Sequence, residues 1–330
     1  MLIATKKQSS LSANHSTDAA VAIRRWRCIA AGAWALFANQ PFRLRRKRSS
    51  GLLGYCLASF LPLIYPRGLM NSPDSRLGRL LLLGENYGTY SAISSTAVGS
   101  EAAAGISVGA DPDSPSHQYK YDETVDNEDA LCIIAAPDWI GMAVADAHYG
   151  PESSHMLMAR LHDIWAKVRP RNVDHMQEMV EFLRQGDPAQ TESETTMLLT
   201  VYDRESREGF GLSFGDSTFA VLGADKLPRR QNPQDNRFVA TNRRGTLRNG
   251  GQFRYAADPG DLLLIFTDGV NECHYRNPET SVQDEHIHAA ARAANFEPLD
   301  VVNRVISLAL GGVDGYPGGQ DNIAMAAARA

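Results

Sequence analysis

From about Arg76 onward the chain alternates between apolar runs of strand length and stretches of helical spacing. The five-residue run Leu262–Phe266, bounded by Pro259-Gly260 and Asp268-Gly269, is too short for a buried helix and predicts a strand covered on both faces. Leu80–Leu83, Ala102–Val108, Ala130–Ala135, Trp139–Ala145, Thr195–Tyr202, Gly209–Phe214, Thr218–Leu222 and Ile323–Ala328 read as further strands. Pro137-Asp138, Arg204–Glu208 and Gly215-Asp216-Ser217 are connections too short for a parallel crossover, so the strands they join are expected to be antiparallel neighbours.

Between the strands the period changes. Glu152–Val168 carries Met156, Leu157, Leu161, Ile164, Trp165 and Val168 at helical spacing and is closed by Pro170. A second helix is expected after Asn172 as N-cap, with Met176, Met179, Val180 and Leu183 on one face and Gly186 as its stop. Two more follow, Val282–Ala294 and Leu299–Leu310, the latter ending at Gly311-Gly312. Residues 111–116 read as a loop, and 224–250, rich in Arg, Asn and Gln, as a flap or loop. No internal repeat is present. The architecture predicted is α/β (α+β) in four layers, αββα: two mainly antiparallel sheets face to face, each covered by helices, with acidic residues gathered at one end.

Charge divides the chain. Residues 1–73 hold eleven Lys or Arg against a single acid, Asp18, leaving 22 of the 33 bases and 37 of the 38 acids in the remainder, a net of −15. Three readings of this basic leader stand side by side: a targeting segment, a membrane-associated segment, and an upstream extension with Met70 as the natural start. The run Gly51–Tyr65 is shorter than the roughly 20 apolar residues a span needs and contains Pro62, so membrane contact through the leader is not expected. The Arg43–Arg48 cluster reads as a solvated tail. An acidic body of 76–330 argues against a nucleic-acid footprint and is compatible with divalent cations. The four cysteines, Cys28, Cys56, Cys132 and Cys273, are scattered without Cys-x-x-Cys spacing, which indicates neither zinc nor a disulfide framework and by default a reducing, cytoplasmic setting, with organelle targeting or membrane association as the alternatives.

The candidate chemistry lies where strands end on acids. Glu128-Asp129 precedes Ala130–Ala135, Asp146 and His148 end the Trp139 run, Asp216 sits in a tight turn, Asp268 follows the central strand, and Asp321 precedes the last one. Each has a plain structural reading beside the functional one; Asp268-Gly269, for example, is also a hairpin-turn signal. Taken together, oxygen ligands without cysteine select hard cations, manganese or magnesium, and carboxylates so gathered repel one another unless a cation or a proton relieves them. Two divalent ions would lower the pKa of a shared water and clamp an in-line displacement at phosphorus. A histidine beside a carboxylate is a candidate general acid.

The ordered set Asn127-Glu128-Asp129, Ala145-Asp146-Ala147-His148, Gly215-Asp216-Ser217, Phe266-Thr267-Asp268-Gly269 and Gln320-Asp321-Asn322 resembles the metal-dependent protein phosphatases of type 2C, the PPM family, over roughly residues 76–330. The resemblance implies hydrolysis of phosphoserine and phosphothreonine in proteins, with phosphorylated proteins and a cognate serine/threonine kinase as partners in signalling. It implies that Asp146 bridges two metals and that the Ala147 carbonyl completes one of them. Glu128 would ligate the second-metal side with Asp129 orienting metal waters, Asp268 and Asp321 would hold the other metal, and Asp216 would help to hold a third. His148 matches the family's general acid. Two departures stand out: the usual Gly is Ala147, and the phosphate-gripping Arg four residues before the Glu is Thr124, with Lys120 nearby. They keep open the alternative of a pseudophosphatase that binds phosphoproteins without turnover.

Overall fold

The structure is a computed structural model, and it describes residues 77–119, 127–185, 193–241 and 247–330. These fall within the unit Met70–Ala330. The leader, Met70, Lys120, Thr124 and Gly186 lie outside the described residues.

Two antiparallel sheets form the centre. The first contains β1 (Gly78–Leu83), β4 (Asp129–Ala135), β5 (Trp139–His148), β7 (Met197–Asp203), β8 (Glu208–Phe214) and β12 (Gly251–Ala256) in that spatial order. Short β6 (Glu194–Thr195) pairs with the end of β5 and with β11 (Val239–Ala240). The second sheet runs β10 (Arg229–Arg230), β9 (Thr218–Leu222), β13 (Leu262–Phe266), β14 (Ile323–Arg329), β3 (Ala102–Ser107) and β2 (Ser94–Val98).

The strands are continuously apolar because both faces of each sheet are covered. In β4, Leu131 and Ile133 point between the sheets, where they meet Ile106, Phe219 and Ile265; Ala130, Cys132 and Ile134 point outward onto helices. Those helices are α1 (Glu152–Trp165) and α2 (Val173–Leu183), which contribute Leu157, Trp165 and Val180. On the far side Leu262, Leu264 and Phe266 of β13 pack against α3 (Asp284–Ala293) and α4 (Pro298–Gly311), including Ile287, Val302 and Ile306. The order of layers is therefore helix, sheet, sheet, helix, as the pattern predicts. The N-cap of α2 is Asn172, whose side chain accepts from the His175 amide at 2.8 Å.

Two expectations are corrected and one structural alternative is set aside. Gly215–Ser217 does not join antiparallel neighbours: β8 ends in the first sheet and β9 pairs with β13 in the second, so this turn carries the chain across the sandwich. A φ of +92° at Gly215 lets the backbone leave its sheet there. Asp268-Gly269 is not a hairpin, since β13 pairs with β9 and β14 and the chain beyond it leaves the sheet. Strands β2 and β12 were not foreseen, nor were the two-residue β10 and β11, which interrupt the 224–250 stretch expected as a flap or loop. Strand β2, Ser-Ser-Thr-Ala-Val, is a polar edge, and β12 alternates, with only Phe253 and Tyr255 inward.

Candidate metal centre

Antiparallel pairing brings the acids to one end. Asp129 opens β4 and Asp146 stands near the end of β5, directly opposite each other in the register. Asp268 lies two residues beyond β13 and Asp321 two residues before β14, so the β13–β14 pairing puts both at a single end of the second sheet. The crossing turn places Asp216 just ahead of β9, whose Thr218 faces Phe266 of β13.

Hydrogen bonds hold the two sheets in fixed relation at this end. The Thr267 hydroxyl donates to Asp129 Oδ2 at 2.7 Å and accepts from the Ala324 amide at 2.9 Å. Asn322 Oδ1 accepts from the Glu128 amide at 2.8 Å while its Nδ2 donates to the Val108 carbonyl at 3.0 Å. Gly269 is required by close approach: a Cβ there would lie 1.8 Å from the Asn322 carbonyl oxygen. The Asp146 amide donates to Thr196 Oγ1 at 3.0 Å, and its carbonyl accepts from the Thr196 amide at 2.8 Å. The Glu128 carboxylate accepts from the Gly150 amide at 2.7 Å, at the entrance to α1.

Asp146 and Asp268 lie deep in the protein yet keep some exposure. Burial pushes the Asp146 carboxyl well above the ordinary carboxylate range, and the charges of Asp129, Asp321 and Asp216 push it further. Asp268 is raised in the same way, by burial first and then by Asp146, Asp321 and Asp216, and the two side chains are hydrogen-bonded to each other. Asp216 is also raised by burial, with His148 opposing. Asp146 and Asp268 thus perturb each other, and Asp216 and Asp321 act on both, with Asp129 acting on Asp146. His148, on the end of β5, lies with its ring 4.9 Å from that of Phe238, and Ala147 is buried opposite Thr195.

Other members were not anticipated. Glu272, four residues beyond Asp268, is raised by burial and by Asp216, and Tyr275 by burial and by Asp321. For Asp235 burial acts upward, but hydrogen bonds from Arg237 and Gly215 hold the carboxyl below its ordinary range. Only Glu272 left a signal in the sequence, an acid one helical turn from the Asp268 motif.

Among the described residues no three or more His, Cys, Asp or Glu side chains converge closely enough to grip one ion as they stand. The donor set nevertheless fits a hard divalent cation: it is all oxygen, it is deep, and the repulsion that raises Asp146 and Asp268 is what a cation relieves.

The family described as Stage II sporulation protein E (SpoIIE) matches residues 143–330, which include Asp146, His148, Asp216, Asp268 and Asp321. No curated protein matches the chain. Among solved structures, the catalytic domain of the serine threonine protein phosphatase PstP in complex with two manganese ions is similar, with a TM-score of 0.51 at 17% identity, covering 72% of this chain and 99% of that one. The Mycobacterium tuberculosis serine/threonine phosphatase PstP/Ppp gives the same score and identity over 72% and 98%. At this identity the likeness concerns the fold.

Proposed function

Since this chain belongs to the SpoIIE family of PP2C-type (PPM) phosphatases, we propose that it hydrolyses phosphoserine and phosphothreonine monoesters in proteins, by attack of water and without a covalent intermediate. The observation that supports the reading is the gathering of Asp129, Asp146, Asp216, Asp268 and Asp321 at one end of the two sheets, where burial and neighbouring carboxylates raise Asp146 and Asp268, a repulsion that a cation would relieve.

Asp146, Asp268 and Asp321 would hold the divalent ions, manganese or magnesium, with Asp216 contributing to a further one. Ions bound there supply neutralising charge at the phosphoryl oxygens and activate the attacking water. Asp129, fixed by the Thr267 hydroxyl, orients water against that group. His148, on the rim beside Asp216, donates a proton to the departing serine or threonine oxygen. Glu128, whose carboxylate also accepts from the Gly150 amide, would ligate on the second-metal side.

The test is hydrolysis of a phosphothreonine peptide by the full chain with manganese, with excess chelator, and with Asp268→Ala. Turnover is expected with manganese alone, falling at least about 100-fold in the variant. Folded, manganese-bound protein that releases no phosphate would instead favour a phosphoprotein-binding module.

A further inference from the structure

We propose that Phe238 is the positioning residue that orients the imidazole of His148 toward the departing serine or threonine oxygen, an inference that rests on the phosphatase reading. An imidazole is ordinarily set in direction by a hydrogen bond on the nitrogen that does not react. Among the described residues none makes such a bond to His148. Its ring instead meets two aromatic rings: that of Phe238, tilted by 59° with the centroids 4.9 Å apart, and that of Tyr149, edge-on at 6.2 Å. Tyr149 is the chain neighbour of His148 and is 40% exposed, so Phe238, half-buried and brought in from a distant segment, is the contact able to fix the ring.

Residues 234–240 are tied at both ends to the site. Gln234 Nε2 donates to the Asp216 carbonyl at 2.6 Å, and the Asp235 amide donates to the Gly215 carbonyl at 3.0 Å. The Arg237 amide donates to Asp235 Oδ1 at 2.8 Å, its Nε to Oδ2 at 2.6 Å, and its far end to the Asn249 carbonyl. Beyond Phe238, Val239 stands opposite Thr195, which stands opposite Ala147, so three paired strands set Phe238 one residue from the row that precedes His148. Phe238 is thereby held between the turn that carries Asp216 and the strand that carries His148. An imidazole has several staggered choices about its side-chain bonds, and packing against a fixed aromatic ring selects among them. A proton donor already held in one direction spares the transition state the cost of ordering it.

The test compares kcat of the manganese-loaded full chain on a phosphothreonine peptide, whose alkoxide leaving group needs a proton, with kcat on p-nitrophenyl phosphate, whose leaving group departs as a stable anion. Phe238→Ala is expected to lower kcat on the peptide about tenfold or more, with KM and manganese affinity unchanged and kcat on the aryl ester within about twofold of wild type. Phe238→Tyr, which keeps the ring, restores the peptide rate. In a His148→Ala background the Phe238→Ala change has no further effect, because the group it acts through is gone. Equal losses on both substrates, or the full further loss in the His148→Ala background, overturn the inference. Should the Ala variant fail to fold, Phe238→Leu, which fills the space without a flat ring, is judged by the same two criteria. A wild type that hydrolyses neither ester defeats the phosphatase reading. The inference is then decided by the ring resonance of His148 in a proton–carbon NMR spectrum, assigned by its loss in His148→Ala. A shift of that resonance in Phe238→Ala leaves the positioning standing, and an unmoved resonance overturns it.

Discussion

Asp146 and Asp268, both raised by burial and by neighbouring carboxylates, together hold a proton to higher pH in metal-free protein than a free carboxylic acid does. Both groups are raised in the folded state, hence their contribution to stability is complete below the unfolded carboxylate range, near pH 4, and is lost as pH rises through the folded values. Asp203 works in the opposite sense. Hydrogen bonds from Ser206 and Arg169 hold it down to about 2, so its contribution is present above the unfolded value and lost as pH falls toward 2. Thermal midpoints of chelator-treated protein should therefore decline from mildly acid pH toward about pH 8, and magnesium should raise them most at the alkaline end. A flat profile with no magnesium effect would remove the proton-sharing pair from the account.

At the scale of elements, the strands depend on burial and the helices add their caps. Ile133, fully buried between the sheets, should cost about 2–5 kcal/mol when changed to Ala, because the cavity faces strands of both sheets that cannot collapse onto it. Asn172→Ala, which removes only the bond to the His175 amide, should cost about 1 kcal/mol. Urea unfolding followed by circular dichroism ranks the two, and a cap variant as damaging as the core variant would contradict this division. The strands of the interior were legible in the sequence for the same reason, since Leu262–Phe266 and Ala130–Ala135 are apolar on every face. Edge strand β2 and the half-exposed β12 were not, because Ser94, Ser95 and Gln252 carry no burial signal. A turn of Gly-Asp-Ser composition says that the chain reverses; it does not say whether it reverses within a sheet or passes to another.

For the molecule as a whole, the acids gathered at one end of the sheets were visible in the sequence because each lies at or beside the end of an apolar strand, whereas Tyr275 lies in a segment with no periodicity. What sequence could not give is the set of bonds that join the sheets. Thr267 is the clearest: its hydroxyl crosses from β13 to Asp129, a partner 138 residues earlier. Thr267→Val keeps the shape and leaves the Asp129 oxygen without that donor, which should cost about 1–3 kcal/mol and about 10- to 100-fold in phosphate release. Thr267→Ser should restore most of both, and failure of Ser to do so would mean that the methyl group, not the hydroxyl, is what the site requires.

The position of β14 decides how much of the second sheet depends on one segment. It is one of the two central strands of its six-stranded sheet, lying between β13 and β3, and Asn322 just before it anchors Glu128. Without residues 323–329, β3 and β2 have no neighbour on the β13 side, and Asp321 enters on the same segment. A truncation after residue 320 is therefore expected to open the second sheet at its centre and to remove an acid of the candidate site in the same step, a loss of cooperativity that urea unfolding followed by circular dichroism would register.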